Sequence, residues 1–165
     1  MQRRRVGTSL YAGVLFAVLG SIAWVSGQPF IFPSLGPSAF ILAFERRGER
    51  TRVYRIVGSH AIGGIAGLLA YWLVAGGVTL MATPAGLSPE GLRLAASGLL
   101  SIVATSWGMI ATDTNHPPAC ATTLIVSLGL LSTPLQVLII VASVVVLVEV
   151  HRAAIGAFAR VVGEP

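Results

Sequence analysis

Six apolar stretches fill most of the chain, and two of the six are too short, and too rich in proline, to cross a bilayer as straight helices. The runs at 8–27, 56–75, 94–111 and 134–150 each approach the roughly 20 residues that cross an apolar slab of about 30 Å at 1.5 Å per residue. They read as four full transmembrane helices. The stretches 30–44 and 117–131 are interrupted or preceded by proline and read as short, broken helices. Of the 165 residues 55% are hydrophobic and 10% charged, against about 25% charged in a soluble domain, so lipid is the main solvent. The expected fold class is an all-α polytopic membrane protein, and a soluble enzyme is excluded.

The net charge of +5 comes from short arginine blocks beside the apolar runs. Arg3, Arg4 and Arg5 precede the first span, Arg46, Arg47, Arg50, Arg52 and Arg55 fill the loop before the second, and Arg152 and Arg160 follow the last. That placement is a topology signal, not a nucleic-acid site: the positive-inside rule puts all three blocks in the cytoplasm and leaves Arg93 alone on the far side. Both termini are then cytoplasmic and the location is the cell (inner) membrane. The basic start with its apolar run also has the form of a signal peptide cut after Ala23 or Gly27, but its length and the packing needs of the rest favour a true span. Arginine supplies every positive charge, with no lysine, which fits a GC-rich prokaryotic genome.

This topology forces the chain to return within residues 28–44. About six extended residues over 28–33 reach roughly 20 Å and about eleven helical residues over 34–44 another 16 Å, which together match the slab. Ser34 and Gly36 suit a cap, and Pro37 suits the first helical position, where its missing N–H costs nothing. The second half repeats the plan. Span 94–111 leads to Asp113, Asn115, His116, Pro117 and Pro118, then to a short helix over about 118–131 and to Pro134, which opens the last span. Two three-crossing halves, 1–82 and 93–165 with an external connection at 83–92, make an inverted repeat whose interrupted helices meet near the bilayer midplane. Gly63, Gly64, Gly67 and Ala70 form a small-residue face for close helix approach.

Non-helical backbone at membrane depth implies protein or water to satisfy its polar groups. The half-helix starts at Pro33, Ser34, Gly36, Pro37, Ser38 and Ala39 and at Asn115, His116, Pro117, Pro118, Ala119 and Cys120 therefore bracket a polar centre. Free N–H groups are expected at Ser38, Ala39 and Phe40 and at Ala119, Cys120 and Ala121, each end carrying a partial positive charge that favours an anion. Two such ends supply about 4 kcal/mol, or millimolar binding, weak enough for release. His60 and His116 are candidates for the same site, the first also explicable as a packing histidine; His116 could attract an anion when protonated. Asp113 is costly at depth unless paired and could hold His116 in place. Glu149, beside His151 and Arg152, reads as an interfacial salt bridge. His60, His116, Asp113 and Cys120 lack a recognised metal-ligand spacing, so no metal and no cofactor is expected. The single cysteine leaves no internal disulfide. Walker A, G-x-S-x-G, HExxH and CxxC patterns are absent from the sequence, so no enzymatic activity is expected.

The segment Asn115-His116-Pro117-Pro118-Ala119-Cys120-Ala121-Thr122 resembles the signature of the HPP family of integral membrane proteins, named for its His-Pro-Pro motif. Pro33-Ser34-Leu35-Gly36-Pro37-Ser38-Ala39 is similar to the family's leucine-glycine-alanine-serine segment, and Gly58-Ser59-His60 to its glycine-histidine element. The sequence departs from that pattern at Pro37, where alanine is usual, and over 51–55. The resemblance implies four membrane spans and, from plastid and cyanobacterial members, nitrite transport. The expected function is a transporter or channel for a small inorganic anion, nitrite first, embedded in the lipid bilayer, with glycine faces that suit a homo-oligomer. The alternatives are a non-transporting scaffold or sensor subunit, and a metal- or proton-linked cation carrier using Asp113 and the histidines.

Overall fold

The computed structural model describes residues 2–28, 32–46, 48 and 51–162. Its helices are α1 (Gln2–Ser26), α2 (Leu35–Glu45), α3 (Val53–Ala70), α4 (Pro89–Ala111), α5 (Ala119–Ser127) and α6 (Pro134–Val162), with α3 carried on by a π-helical turn, Tyr71–Ala75. Among the described residues, four stretches are long and apolar enough to span a membrane: Arg5–Ser26, Val53–Ala75, Pro89–Ala111 and Pro134–Ala159. The extended stretch expected over 28–33 falls mostly outside the described residues, as do Arg47, Arg50 and the side chains of Arg3, Arg4 and Arg160.

Cross-links at both ends fix the direction of each helix. At one end Tyr54 Oη donates to Thr112 O at 2.8 Å and Arg55 meets Asp113 at 2.8 Å, so α4 finishes where α3 begins. At the other end Arg93 donates from Nε to Val74 O at 2.8 Å and from Nη2 to Gly76 O at 3.0 Å. The Leu80 N–H reaches Leu128 O at 3.0 Å, so α5 finishes there as well. His151, late in α6, hydrogen-bonds Arg46 O just past α2 at 2.9 Å. Thus α2 and α5 run in opposite directions, as the long-short-long plan of the two halves requires. The arginine sought alone at the far end is not idle: it holds carbonyls freed where α3 loosens into its π turn.

Local chemistry sets the helix limits. Ser88 Oγ accepts from Gly91 N at 3.1 Å, with Pro89 first in the helix and Glu90 in its first turn; the cap starts α4 inside the expected 83–92 connection. Thr133 and Gln136 form a reciprocal capping box at α6: Thr133 N donates to Gln136 Oε1 at 3.1 Å and Gln136 N to Thr133 Oγ1 at 3.3 Å. Helix α5 stops at Ser127, short of the expected 131. Leu130 N bonds Ile125 O and Gly129 N bonds Val126 O, with Gly129 at φ 74°, a Schellman stop that glycine adopts without strain. A Cβ there would also lie 2.9 Å from the Tyr71 ring.

Exposed Trp24 and Trp72 mark one end and exposed Tyr54 and Trp107 the other, as interfacial aromatic belts do. Tyr54 and Trp72 are separated along α3 by about 27 Å at 1.5 Å per residue, close to the apolar thickness of a bilayer. The core between them joins Leu15 and Leu19 of α1, Phe32, Leu35 and Leu42 around α2, Ile56 of α3 and Ile140, Val144 and Leu147 of α6. Around it the outward faces are apolar, with Leu73, Leu99, Ile110 and Leu138 exposed, the inverse of a soluble protein and the surface lipid demands.

Candidate functional site

Close backbone approach builds the site. On α3, Gly63 and Gly67 lie one turn apart and face α5, while Gly64 faces α6. A Cβ at Gly63 would come within 2.6 Å of Thr123 Oγ1 and 2.8 Å of Ala119 O; one at Gly67, within 2.7 Å of Thr123 O; one at Gly64, within 2.6 Å of Val137 Cγ1. The small-residue face therefore seats both α5 and α6, and it brings His60, one turn earlier, against the start of α5.

There a buried ring of polar side chains joins both breaks to α3. Ser38 Oγ lies 2.9 Å from His116 Nε2 and 3.2 Å from His60 Nε2. His60 Nδ1 lies 2.7 Å from Thr122 Oγ1, and the Thr122 hydroxyl donates to Ser34 Oγ at 2.9 Å. The two imidazoles face each other at 5.4 Å between centroids. All five residues are at most 1% exposed. Ser59 donates to Thr114 O beside the ring, pinning the loop that delivers His116.

Proton counting assigns the tautomers. Thr122 gives its one proton to Ser34, so it accepts from His60 Nδ1–H. Neutral His60 then accepts at Nε2 from the Ser38 hydroxyl, and Ser38 Oγ accepts from His116 Nε2–H. This leaves His116 Nδ1 as a bare acceptor, buried and without a hydrogen-bond partner among the described residues. Ser38 Oγ also lies 3.2 Å from Ser34 O. That carbonyl is a second acceptor within reach of the same hydroxyl proton.

Of the residues singled out by sequence, Ser34, Ser38, His60 and His116 meet in the ring, and Ala39 and Ala119 pack beside it as buried small residues. Gly36, Pro37, Pro33, Asn115 and Pro117 face outward, Pro118 is buried, and Cys120 is half-buried. Asp113 does not hold His116. It sits at φ 52° in a second Schellman stop, with Thr114 N on Met109 O and Asp113 N on Ile110 O, and its carboxylate, 78% exposed, pairs with Arg55. The expected free N–H groups are also largely absent. Ala119, Cys120 and Ala121 donate to His116 O, Pro117 O and Pro118 O at 3.0–3.1 Å. Because α2 begins at Leu35, Ser38, Ala39 and Phe40 come after its first unpaired positions. Neither Asn115 nor His116 caps α5, since the position before Ala119 is Pro118. Two prolines in succession tighten the turn onto its own carbonyls, and side chains, not helix ends, make the centre polar. The ring lies about 9 Å along α3 from Tyr54, a third of the way between the aromatic belts and not at the midplane.

A second polar feature escaped the sequence reading. Ser97, Ser101 and Thr105 repeat every fourth residue on α4 and are fully buried against α5. Ser97 donates to Ser127 O at 2.8 Å, Thr105 and Thr123 share a 2.9 Å hydrogen bond, and Ser127 Oγ is buried with no partner among the described residues. Their four-residue spacing was the available signal; the apolar residues between them masked it. The hydroxyls lead from the ring toward the end of the protein at which α5 finishes.

Comparison with known proteins is consistent with this architecture. The family described as HPP, transmembrane region, matches the chain over residues 3–161. No curated protein and no solved structure matches it.

Proposed function

The chain belongs to the HPP transmembrane family, and on that premise we propose that it is a transporter for a small inorganic anion, with nitrite the first substrate to test. The observation that carries the reading is the buried ring of Ser34, Ser38, His60, His116 and Thr122, where two oppositely directed half-helices meet inside an apolar body. Polar groups held at such depth are costly unless partnered, and they mark a functional site by default. The ring is built from hydroxyls and imidazoles, with no carboxylate. Asp113, the residue a cation carrier would need, is turned outward onto Arg55. The Ser34, Ser38 and Thr122 hydroxyls and the N–H groups of the two neutral imidazoles are donors that can exchange their mutual hydrogen bonds for bonds to an anion. The α4–α5 hydroxyls are the polar groups that continue from the ring toward the end at which α5 finishes. The arginine-bearing end and both termini are assigned to the cytoplasm.

Nitrite uptake into proteoliposomes, compared with His116→Ala and His60→Gln proteins of equal melting temperature, tests the reading. Saturable uptake by the native chain, lost in both variants, supports it. No uptake of nitrite, nitrate, formate or chloride by folded native protein overturns it and leaves the ring the task of fixing helix packing.

A further inference from the structure

At the arginine-bearing end two recesses share a wall. One, about 540 Å³, is lined by Arg46 at the end of α2, Arg52 and Val53 at the start of α3, and His151, Arg152 and Ile155 of α6. That volume falls within the roughly 300–1,000 Å³ of small-molecule sites. The other, about 230 Å³, is lined by Tyr11, Arg46, Ala154, Ile155 and Phe158 and is mostly apolar. Arg46 and Ile155 border both. The Arg46 guanidinium stands 5.9 Å from the Tyr11 ring centroid, at the seam between them.

We propose that this paired recess binds one acidic phospholipid, its phosphate among Arg46, Arg52 and Arg152 and an acyl chain in the slot beside Phe158. Three separate segments of chain contribute those arginines, whereas the positive-inside rule alone would be met by arginines anywhere in the loops. The neighbouring slot is apolar and opens beside 60%-exposed Phe158. A charged pocket joined to an apolar slot at the bilayer surface has the shape of a headgroup with its chain, and basic pockets between helices on the cytoplasmic side recognise such lipids. Arg152 also contacts Glu149 at 2.9 Å in an exposed pair, weak enough for a phosphate to replace. His151 is already engaged by Tyr11 Oη at 3.0 Å and by Arg46 O at 2.9 Å. It ties α1, α2 and α6 together and sets the shape of the pocket. The lipid would lock these three helices at the end where α2 closes the first broken crossing.

Native mass spectrometry of the full chain in mild detergent, with equal amounts of dioleoyl phosphatidylglycerol and dioleoyl phosphatidylcholine, provides the test. The native protein is expected to retain one phosphatidylglycerol in preference to phosphatidylcholine. Arg152→Gln should lower that preference about fivefold, and Arg46→Gln with Arg52→Gln should abolish it. Ala154→Phe, which fills the slot and leaves every charge in place, should also lower retention. Equal retention of the two lipids by the native protein overturns the proposal. So does an unchanged preference in the arginine variants, or release of phosphatidylglycerol by millimolar inorganic phosphate, which would make the ligand a free ion.

Discussion

The two broken crossings serve the same architectural purpose and begin in opposite ways. The first, at Ser34, turns hydroxyls inward at Ser34 and Ser38 and faces Gly36 and Pro37 outward. The second turns an imidazole inward at His116 and closes its backbone on itself through Pro117 and Pro118, so that Ala119, Cys120 and Ala121 spend their N–H groups locally. One break contributes proton-rotating hydroxyls and the other contributes an imidazole with a bare Nδ1. Neither half-ring is satisfied alone; Ser38 is paired by His116, and Ser34 by Thr122. The difference teaches that inverted architecture need not mean duplicated chemistry.

Substitutions can break that complementarity in a graded way. The largest effect is expected at Gly67→Val. The added side chain would run into the Thr123 carbonyl, 2.7 Å from the position of its Cβ, pushing α5 and the second break off α3 while leaving α2 in place. Overpacking costs about 1–3 kcal/mol where neighbours can yield, and backbone cannot, so the expected loss is about 3 kcal/mol or more, read as a collapse of the detergent melting temperature. An unchanged melt would mean that α5 is seated by something other than the glycine face.

Thr122→Val cuts the tie between the second break and both His60 and Ser34 at nearly constant volume. Two buried groups lose their partner, a cost of about 1–3 kcal/mol. Urea unfolding in mixed micelles measures it, and a neutral result would show that the ring does not bear on stability.

Ser38→Ala removes the hydroxyl that both imidazoles share and is expected to cost about 1–2 kcal/mol. Under the transport reading it also abolishes uptake, whereas Ser38→Thr, which keeps the hydroxyl, retains part of it. Equal flux through native and Ser38→Ala proteoliposomes would separate the ring from permeation.

The smallest effect belongs to Asp113, a functional candidate in the sequence only through the cost of a carboxylate at depth. Asp113→Asn breaks an ion pair whose carboxylate is 78% exposed and should change stability by less than about 1 kcal/mol, with anion uptake intact. Lost anion uptake would return Asp113 to the site, whereas a cation flux abolished in Asp113→Asn with anion uptake intact would revive the cation-carrier reading.

Much of the fold was legible because its signals are local. Apolar run lengths mark the four spans, and Pro33, Pro37, Pro117 and Pro118 mark the breaks. The stop of α5 was local too, at Gly129, and was overlooked because the apolar run continues through Leu130 and Leu131. The site was only half legible. His60, His116, Ser34 and Ser38 stood out as polar residues at depth, but Thr122 and the α4 hydroxyls resemble ordinary spacing of small residues in a membrane helix. Asp113 misled because cost at depth was argued from its place in the sequence, and the Schellman turn carries it out to Arg55.

The sequence by itself determined the solvent, the number of spans, the position of both breaks and the glycine face of α3, since each depends on side-chain polarity or backbone freedom within a turn or two. Only the tertiary structure decided which polar groups meet. Ser38 and His116 are 78 residues apart and Ser34 and Thr122 are 88 apart. Their contact depends on how closely Gly63 and Gly67 let α5 approach, and on the antiparallel overlap of two half-helices, a geometry that no local pattern encodes.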